Sequence, residues 1–267
     1  MRFRAIASDL DGTLLRSDGT VSPRTRAALD AADEAGLLFV IATGRPPRWM
    51  PPVLAQLGDH GLVVCANGAS VYDPVAHELV HRVDLQPEVL GGLVDDLEAA
   101  FPEALLGVEQ GFEFGVDERV RTLALRRALE ADVRIAPIRS FLDEPVTKLI
   151  VRFPTDAPPG RSEAVQAVVG DRALVTRSMS EVFLELSHPD VHKAAAVERL
   201  LVEHGAPPES VVAFGDMPND VELIRWAGLG VAVANAHPEL LAAADEVTAS
   251  NDDDGVAQVI ERILAEA

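Results

Sequence analysis

The chain has 267 residues, of which 48% are apolar, so it is long enough to bury a sizeable core. Its 43 acidic and 23 basic side chains give a formal net charge of −20, which repels nucleic acid and anionic membranes. No apolar run has the length of a membrane span, no signal peptide is expected, and the single cysteine excludes an internal disulfide, so we expect a cytoplasmic protein.

Strand-like and helix-like segments alternate through the first part of the chain. Ser22-Pro23 is typical of an N-cap followed by proline at the first helical position, and Gly36 is typical of the end of that helix. The continuous apolar run 37–42 is typical of a parallel strand that is covered on both faces. The pattern then predicts a helix, a strand and a hairpin, in that order, at residues 46–57, 62–66 and 70–83.

The middle of the chain has a different pattern. It predicts helices at 87–100 and 118–131, a loop rich in proline and glycine at 154–160, and short strands at 105–109, 148–153 and 182–186. We therefore expect an inserted α+β cap domain at residues 85–186, closing over the sheet edge of a core formed by residues 1–84 and 187–267.

After this insertion the alternation of strands and helices returns. The predicted strands are 211–214, 229–234 and 246–248, and the predicted helices are 219–227, 238–244 and 255–264. Repeated alternation of this kind implies an α/β fold, a doubly wound parallel sheet with right-handed crossovers.

Acidic and polar side chains stand where apolar strands end. Asp9 and Asp11 follow the first strand, and if strand geometry persists their side chains lean to the same side. Two carboxylates buried together require a cation, and Mg²⁺ is the usual cation beside phosphate. Thr43 and Asp216 also follow apolar strands, and ligands of such sheets bind at the carboxyl ends of the strands.

Each candidate also has a structural interpretation. Thr43 could cap the following helix, as could Asp216 and Asp220. Lys193 could be a solvated helix residue, and Asn67 a turn residue.

The acidic segment 250–261 has nearly the spacing of a calcium-binding EF-hand loop. Its first position is Ser250 rather than aspartate, and a strand precedes it, so we interpret it as a helix N-cap with favourable acidic charge.

Four segments, in order, resemble the motifs of the haloacid dehalogenase superfamily of phosphohydrolases. They are DLDGT at 9–13, VIATGR at 40–45, Lys193 at a helix start, and AFGDMPND at 213–220. Segments 65–69 and 247–256 are similar to the Cof-type branch, also called class IIB-capped. The matches bracket residues 3–260, while the middle of the chain matches only in length and position.

The resemblance implies a phosphatase that forms an aspartyl-phosphate on Asp9, with Asp11 as acid and then base. It implies that Mg²⁺ is held by Asp9, by the backbone carbonyl of Asp11 and by Asp216. Asp220 and Asn219 would contact the water ligands of the metal.

The same resemblance implies further catalytic and binding groups. Thr43 would hydrogen-bond a phosphoryl oxygen, and Lys193 would offset negative charge on Asp9 and on the phosphoryl group. The implied phosphate- and substrate-binding residues of the core are Gly12, Thr43, Gly44, Arg45, Asn67 and Lys193. Arg121, Lys148 and Arg177 are the candidates for substrate contacts from the cap.

The chain departs from the branch pattern at three positions. Met217 stands where asparagine is common, and Asp190 and Ala194 stand where glycine is common around the lysine. Met217 cannot supply a hydrogen bond to the water ligands of the metal. None of the three departures changes a direct catalytic group.

We therefore expect a Mg²⁺-dependent phosphatase of a small phosphorylated metabolite, either a sugar phosphate or a nucleotide-like cofactor, acting as a monomer or homodimer. A phosphomutase and a catalytically inactive metabolite-binding protein are the alternatives. A metal-free dehalogenase is disfavoured by Asp11 and by the acidic fourth motif. Response-regulator receivers share strand-end aspartates, but they are about half this length and lack a cap.

Overall fold

The computed structural model describes residues 2–58, 61–120, 133–154 and 159–266, without the side chains of 178–180. The chain divides into two compact units. We call residues 1–45, 49–81 and 192–267 the core unit, and residues 46–48 and 82–191 the inserted unit. The cap boundaries predicted from the sequence, 85 and 186, fall within the inserted unit. The specificity role of the cap stays a prediction.

Strands and helices are numbered along the described part of the chain. The strands are β1 (Ala5–Ser8), β2 (Leu38–Ala42), β3 (Leu62–Cys65), β4 (Ser70–Asp73), β5 (Glu78–Arg82), β6 (Leu105–Gln110), β7 (Glu113–Asp117), β8 (Arg134–Ala136), β9 (Lys148–Arg152), β10 (Leu174–Ser180), β11 (Phe183–Ser187), β12 (Val211–Gly215), β13 (Leu229–Ala232) and β14 (Glu246–Val247). The helices are α1 (Pro23–Glu34), α2 (Pro51–Leu57), α3 (Pro87–Ala100), α4 (Arg161–Val169), α5 (Lys193–Glu203), α6 (Val221–Trp226), α7 (Pro238–Ala243) and α8 (Gly255–Ala265). Among the described residues, no helix is both long and apolar enough to cross a membrane.

The sheet of the core unit has the strand order β14-β13-β12-β1-β2-β3-β4-β5. The strands from β14 to β3 run parallel, and β4 runs antiparallel to β3. Ala5 of β1 pairs with Leu38 on one side and with Val211 on the other. The carboxyl ends of β2, β1 and β12 are therefore neighbours, and the predicted α/β fold is confirmed.

Apolar side chains explain why these strands lie inside the core unit. Ala5, Ile6 and Ala7 of β1 are completely buried, as expected for a strand covered on both faces. Helix α1 begins as predicted, because the Ser22 hydroxyl accepts a hydrogen bond from the Thr25 N–H at 2.9 Å.

The inserted unit has its own sheet, with the order β10-β11-β9-β6-β7-β8. Its pairs are antiparallel except for the parallel pair β7–β8. Its own apolar cluster contains Leu90, Leu93 and Leu97 of α3 and Val165 and Val169 of α4. This second core explains why residues 82–191 form a separate compact unit.

The sequence patterns missed four elements of this unit, β7, β8, β10 and α4. Strand β7 reads EFGVD, and its glycine and two carboxylates hide the period of a strand. The helix predicted at 118–131 falls largely outside the described residues, and residues 118–119 form a turn.

Candidate active site

A buried lysine connects two carboxylates at the carboxyl edge of the core sheet. Asp9 directly follows β1, and its N–H donates to the Phe214 carbonyl of β12 at 3.0 Å. Lys193 is the first residue of α5, and its Nζ lies 2.5 Å from Asp9 Oδ1 and 2.6 Å from Asp220 Oδ1. The three side chains are at most 9% exposed, so this ammonium and both carboxylates are withdrawn from water together.

The turn after β12 fixes the second pair of acidic side chains. Asp220 Oδ2 accepts hydrogen bonds from the N–H groups of Asp216 and Met217, at 3.2 and 3.1 Å. Asp216 Oδ1 accepts a hydrogen bond from the Thr13 hydroxyl at 3.0 Å. This turn therefore holds Asp216 against the loop that follows β1.

Gly12 allows the close approach of that loop to Asp216. Its φ is +80°, a conformation that side-chain-bearing residues rarely adopt. A Cβ atom at this position would lie only 2.4 Å from Asp216 Oδ2. The motif glycine is thus required by both the turn and the contact.

The acidic cluster carries more negative charge than its lysine can balance. One ligand atom from each of Asp9, Asp216 and Asp220 lies within 4.8 Å of the others. Burial raises the pKa of Asp9 well above its usual value; Lys193 opposes this effect, and Asp220 and Asp216 add to it. Burial, with the charge of Asp220, also raises the pKa of Asp216 to about 6.

The charged form of Lys193 is favoured, whereas burial favours the neutral forms of Asp9 and Asp216. Burial alone lowers the pKa of Lys193, but the carboxylates of Asp220 and Asp9 outweigh burial, and its pKa is raised. Lys193 is therefore a permanent cation at neutral pH. Three carboxylates beside one ammonium leave an excess of oxygen donors and negative charge, and this donor set fits a hard divalent cation.

Asp11 lies outside this cluster. Strand β1 ends at Ser8, so the strand geometry that would align the Asp9 and Asp11 side chains does not persist. The Asp11 carboxylate instead accepts two hydrogen bonds from Arg45, from Nε at 2.8 Å and from Nη2 at 2.6 Å. The Asp11 side chain is 54% exposed, so this carboxylate is accessible to solvent.

The remaining predicted core residues gather at the ends of β2 and β3. The Thr43 hydroxyl accepts a hydrogen bond from the Arg45 N–H at 3.1 Å, and the Thr43 carbonyl accepts one from the Asn67 N–H at 3.0 Å. Asn67 Oδ1 accepts a hydrogen bond from Asn219 Nδ2 at 3.3 Å. A Cβ atom on Gly44 would lie 3.3 Å from that same Asn67 oxygen.

The three residues predicted to contact a substrate from the cap lie in different surroundings. Lys148 is buried in the inserted unit, with its Nζ 2.5 Å from Glu185 Oε2. Arg177 is 60% exposed and pairs with Glu181, while Arg121 lies outside the described residues. Their roles toward a substrate stay predictions.

Two groups escaped the sequence interpretation. Thr13 lies within the first motif, but the motif does not indicate that its hydroxyl contacts Asp216. In the inserted unit, Arg48 pairs with Glu109 at 2.8 Å, and burial raises the pKa of Glu109 although Arg48 opposes the effect. No periodicity or motif signals that pair, because its residues stand 61 positions apart.

Comparison with known proteins decides the family. The sequence profile of the haloacid dehalogenase-like hydrolases matches residues 6–260. The chain belongs to that family. This hydrolase is 33% identical to the putative phosphatase YxeH of Bacillus subtilis, over 98% of each chain. It is 29% identical to 5-amino-6-(5-phospho-D-ribitylamino)uracil phosphatase YitU of the same organism, over 97% of each chain.

A solved structure agrees with this assignment. The hydrolase is similar to a haloacid dehalogenase-like hydrolase from Bacteroides thetaiotaomicron, with a TM-score of 0.81 and 30% identity over 98% of this chain and 99% of that one. The predicted membership in the Cof-type, class IIB-capped branch is confirmed. The protein is a phosphoric monoester hydrolase.

Proposed function

We propose that this hydrolase is a Mg²⁺-dependent phosphatase that acts on a small phosphorylated metabolite through an aspartyl-phosphate on Asp9. The observation that carries the proposal is the contact of one buried ammonium, Lys193, with both Asp9 and Asp220, beside the third carboxylate of Asp216. A buried excess of negative charge is costly unless a cation offsets it, so a purely structural role does not account for the cluster.

The residues proposed to hold the ion are Asp9, Asp216 and the backbone carbonyl of Asp11. Bound there, Mg²⁺ supplies positive charge that reduces the repulsion between the Asp9 carboxylate and a phosphate dianion. Asp220 has a different part, because its two oxygens accept hydrogen bonds from Lys193 and from the 216–217 backbone. We assign it to positioning Lys193 and the turn that carries Asp216.

The first chemical step uses Asp9 and Asp11. An Asp9 carboxylate oxygen attacks phosphorus, the ester P–O bond breaks, and the departing alkoxide takes the proton of Asp11. Lys193 and the Thr43 hydroxyl stabilise charge on the phosphoryl oxygens. The exposure of Asp11 supports this assignment, because its carboxyl group can reach a leaving group.

The second step regenerates the enzyme. Asp11, now a carboxylate, takes a proton from a water molecule whose oxygen attacks phosphorus. The P–O bond to Asp9 breaks, and inorganic phosphate leaves. Arg45 orients Asp11 through its two hydrogen bonds during both steps.

We assign the substrate to the sugar phosphates or nucleotide-like cofactors. The name of YitU describes a phosphate ester on a ribityl chain attached to a uracil, which combines both chemical features. Lys148 and Arg177 are the described candidates for recognising such a substrate from the inserted unit. We assign residues 9–13 and 213–220 to the reaction at phosphorus and its leaving oxygen, so specificity has to come from elsewhere in the chain.

The test is phosphate release from a panel of phosphorylated sugars, nucleotides and cofactors, with Mg²⁺ and with EDTA. Asp9→Asn is the matched control, because it keeps the size of the side chain and removes the nucleophile. We expect turnover that requires Mg²⁺ and disappears in the variant. Transfer of phosphate to a second hydroxyl of a sugar would favour a phosphomutase, and tight binding without turnover would favour an inactive binding protein.

A further inference from the structure

Two asparagines far away in the sequence hold the loop that follows the nucleophile. We call residues 9–15 the catalytic loop. Asn235 Nδ2 donates to the Gly12 carbonyl at 2.7 Å, and Asn251 Nδ2 donates to the Leu15 carbonyl at 2.8 Å. The backbone N–H of Asn251 donates to Asn235 Oδ1 at 3.0 Å, which links the two side chains into one chain of hydrogen bonds.

The direction of the Asn235 amide is fixed by this arrangement. A backbone N–H can only donate, so the atom facing Asn251 must be the side-chain oxygen, and the NH₂ group must face Gly12. The Gly12 carbonyl can only accept. The two hydrogen bonds therefore require the same orientation of the Asn235 side-chain amide.

Fixing the Gly12 carbonyl also orients the next amide. The peptide bond is planar and trans, so the N–H of Thr13 points away from the side on which Asn235 holds the carbonyl. No hydrogen bond between described residues uses that N–H. The Thr13 hydroxyl contacts Asp216 at 3.0 Å, so the peptide that Asn235 orients leads directly to the residue that holds Asp216.

The loop that carries Asn251 is itself fastened to the residues after the catalytic loop. Asp252 accepts hydrogen bonds from the N–H and hydroxyl of Ser17, at 2.8 and 2.7 Å. Asp254 occupies the N-cap position of α8, as predicted, but its side chain makes no cap hydrogen bond and pairs instead with Arg16 at 2.9 Å. Asp252 and Asp254 therefore hold this loop beside the catalytic loop through their contacts with Ser17 and Arg16.

Stability alone does not explain the Asn235 contact. Asn235 is exposed, so water could satisfy the Gly12 carbonyl if the side chain were absent. Asn251 differs, because it is only 7% exposed and its loss would leave a buried carbonyl unpaired. Asn235 is therefore the informative position.

We propose that Asn235, oriented by Asn251, is a positioning residue that holds the catalytic loop in the geometry required for phosphoryl transfer. The proposal rests on the proposed function, because it takes the Asp11 carbonyl and Asp216, which this loop carries or contacts, as ligands of the metal. Residues that orient a ligating or catalytic group typically change activity or metal affinity by about 10–100-fold when they are lost.

The test compares Asn235→Ala with Asn235→Asp. The aspartate keeps the shape and the acceptor for the Asn251 N–H, but it cannot donate to the Gly12 carbonyl. Its extra negative charge would tighten Mg²⁺ binding, so weaker binding in both variants isolates the lost donor. Gln258→Ala is the control, because Gln258 makes the same kind of amide-to-carbonyl bond, to Asp253 at 2.8 Å.

Three measurements are made on the full chain: kcat with p-nitrophenyl phosphate, the Kd of Mg²⁺ by calorimetry without substrate, and amide hydrogen exchange. We expect kcat to fall about 10–100-fold and the Kd to rise about tenfold in both Asn235 variants. The amides of Leu14 and Leu15, which bond to the Leu10 carbonyl, should exchange faster. Gln258→Ala should resemble the unmodified protein in all three.

Failure of this proposal can be distinguished from failure of the proposed function. If the unmodified protein has no Mg²⁺-dependent turnover, the proposed function fails, whereas calorimetry and exchange still test the loop. Asn235 variants with unchanged exchange and unchanged Mg²⁺ affinity would overturn the proposal, whatever their kcat. An equal effect of Gln258→Ala would overturn it as well, because the effect would then be general.

Discussion

Lys193 Nζ and Asp220 Oδ1 lie 2.6 Å apart, and neither side chain is more than 2% exposed. The contact joins the first residue of α5 to the turn after β12. Since the same ammonium touches Asp9, the charge of Lys193 is shared between a proposed nucleophile and a positioning carboxylate. The state of this contact should therefore affect both stability and catalysis.

The first prediction concerns the loss of that ammonium. Lys193→Met leaves the carboxylates of Asp9, Asp216 and Asp220 without a cation, so the free energy of unfolding in EDTA should fall by about 3–5 kcal/mol. We expect kcat to fall by on the order of 10²–10³, because positive charge at the transferring group is lost. Urea unfolding with EDTA and with Mg²⁺, together with phosphate release, measures both effects.

The chain offers a matched control in its other lysine. Lys148 is also buried, and its Nζ also lies 2.5 Å from a carboxylate oxygen, that of Glu185. Lys148→Met should lose similar stability, but Mg²⁺ should restore stability only to the Lys193 variant. Equal recovery of both variants, or full kcat in Lys193→Met, would contradict the assignment.

The second prediction concerns pH and Asp216. Its pKa of about 6 in the metal-free fold, against 3.8 for a free side chain, means that the folded state binds this proton more tightly. The resulting stability is present below pH 3.8 and is lost as pH rises through about 6. The loss is on the order of 2–3 kcal/mol.

Asp216→Asn removes this titration and still accepts from the Thr13 hydroxyl. In EDTA at pH 8 we expect the variant to be more stable than the unmodified protein, and at pH 4 the difference should shrink. Urea unfolding at several pH values measures it. If Asp216→Asn were less stable than the unmodified protein at pH 8, repulsion between the carboxylates would not destabilise the metal-free fold.

The third prediction separates the two steps assigned to Asp11. Asp11→Asn can still accept a hydrogen bond from Arg45 but cannot donate a proton to the leaving group. The nitrophenolate leaving group needs little protonation, so this variant should release one equivalent of p-nitrophenol in a burst. Turnover should then be slow, because the general base is missing.

An alkyl phosphate should give no such burst with the same variant, and its first step should slow by about 10²–10⁴-fold. Rapid-quench measurement of the released alcohol or phenol checks both substrates. If the two substrates lost the same factor in the first step, Asp11 would not be the acid.

The fourth prediction uses two glycines that share one backbone conformation. Gly12 and Gly19 both have φ of +80°, but a Cβ on Gly19 meets nothing within 4 Å. Gly19→Ala should cost only about 1 kcal/mol of backbone strain. Gly12→Ala adds a collision with Asp216, so kcat and Mg²⁺ affinity should fall at least about tenfold beyond the control.

Activity assays and unfolding curves of the two alanine variants measure the difference. Matching kcat and Mg²⁺ affinity in the two variants would mean that the loop tolerates a displaced Asp216. That outcome would remove the steric argument for glycine in the first motif.

Many of the strands and helices could be predicted because local signals agree with the final packing. The strand 37–42 was visible as an apolar run, and α3 occupies 87–100 as expected because proline marks its first residue. Asp9, Thr43 and Asp216 each follow a predicted apolar strand, so their positions at the carboxyl ends of β1, β2 and β12 could also be predicted.

The side-chain partners could not be predicted in the same way. Asp11 contacts Arg45 and lies outside the cluster because β1 ends at Ser8, and sequence spacing does not report where the strand ends. The Asn235 contact joins residues 223 positions apart, and it involves a backbone carbonyl that has no sequence signature. Motifs thus locate the groups, whereas tertiary contacts decide which groups meet.

The central place of β1 has a consequence for synthesis. The first strand of the chain needs β2 on one side and β12, at residues 211–215, on the other. A ribosome-bound chain can complete the fold of the inserted unit while β1 still has an open edge. The acidic cluster joins residue 9 to residues 216 and 220, so the proposed catalytic centre can close only after residue 220 has emerged. Premature termination before that point leaves a chain that carries the proposed nucleophile but has no site in which to use it.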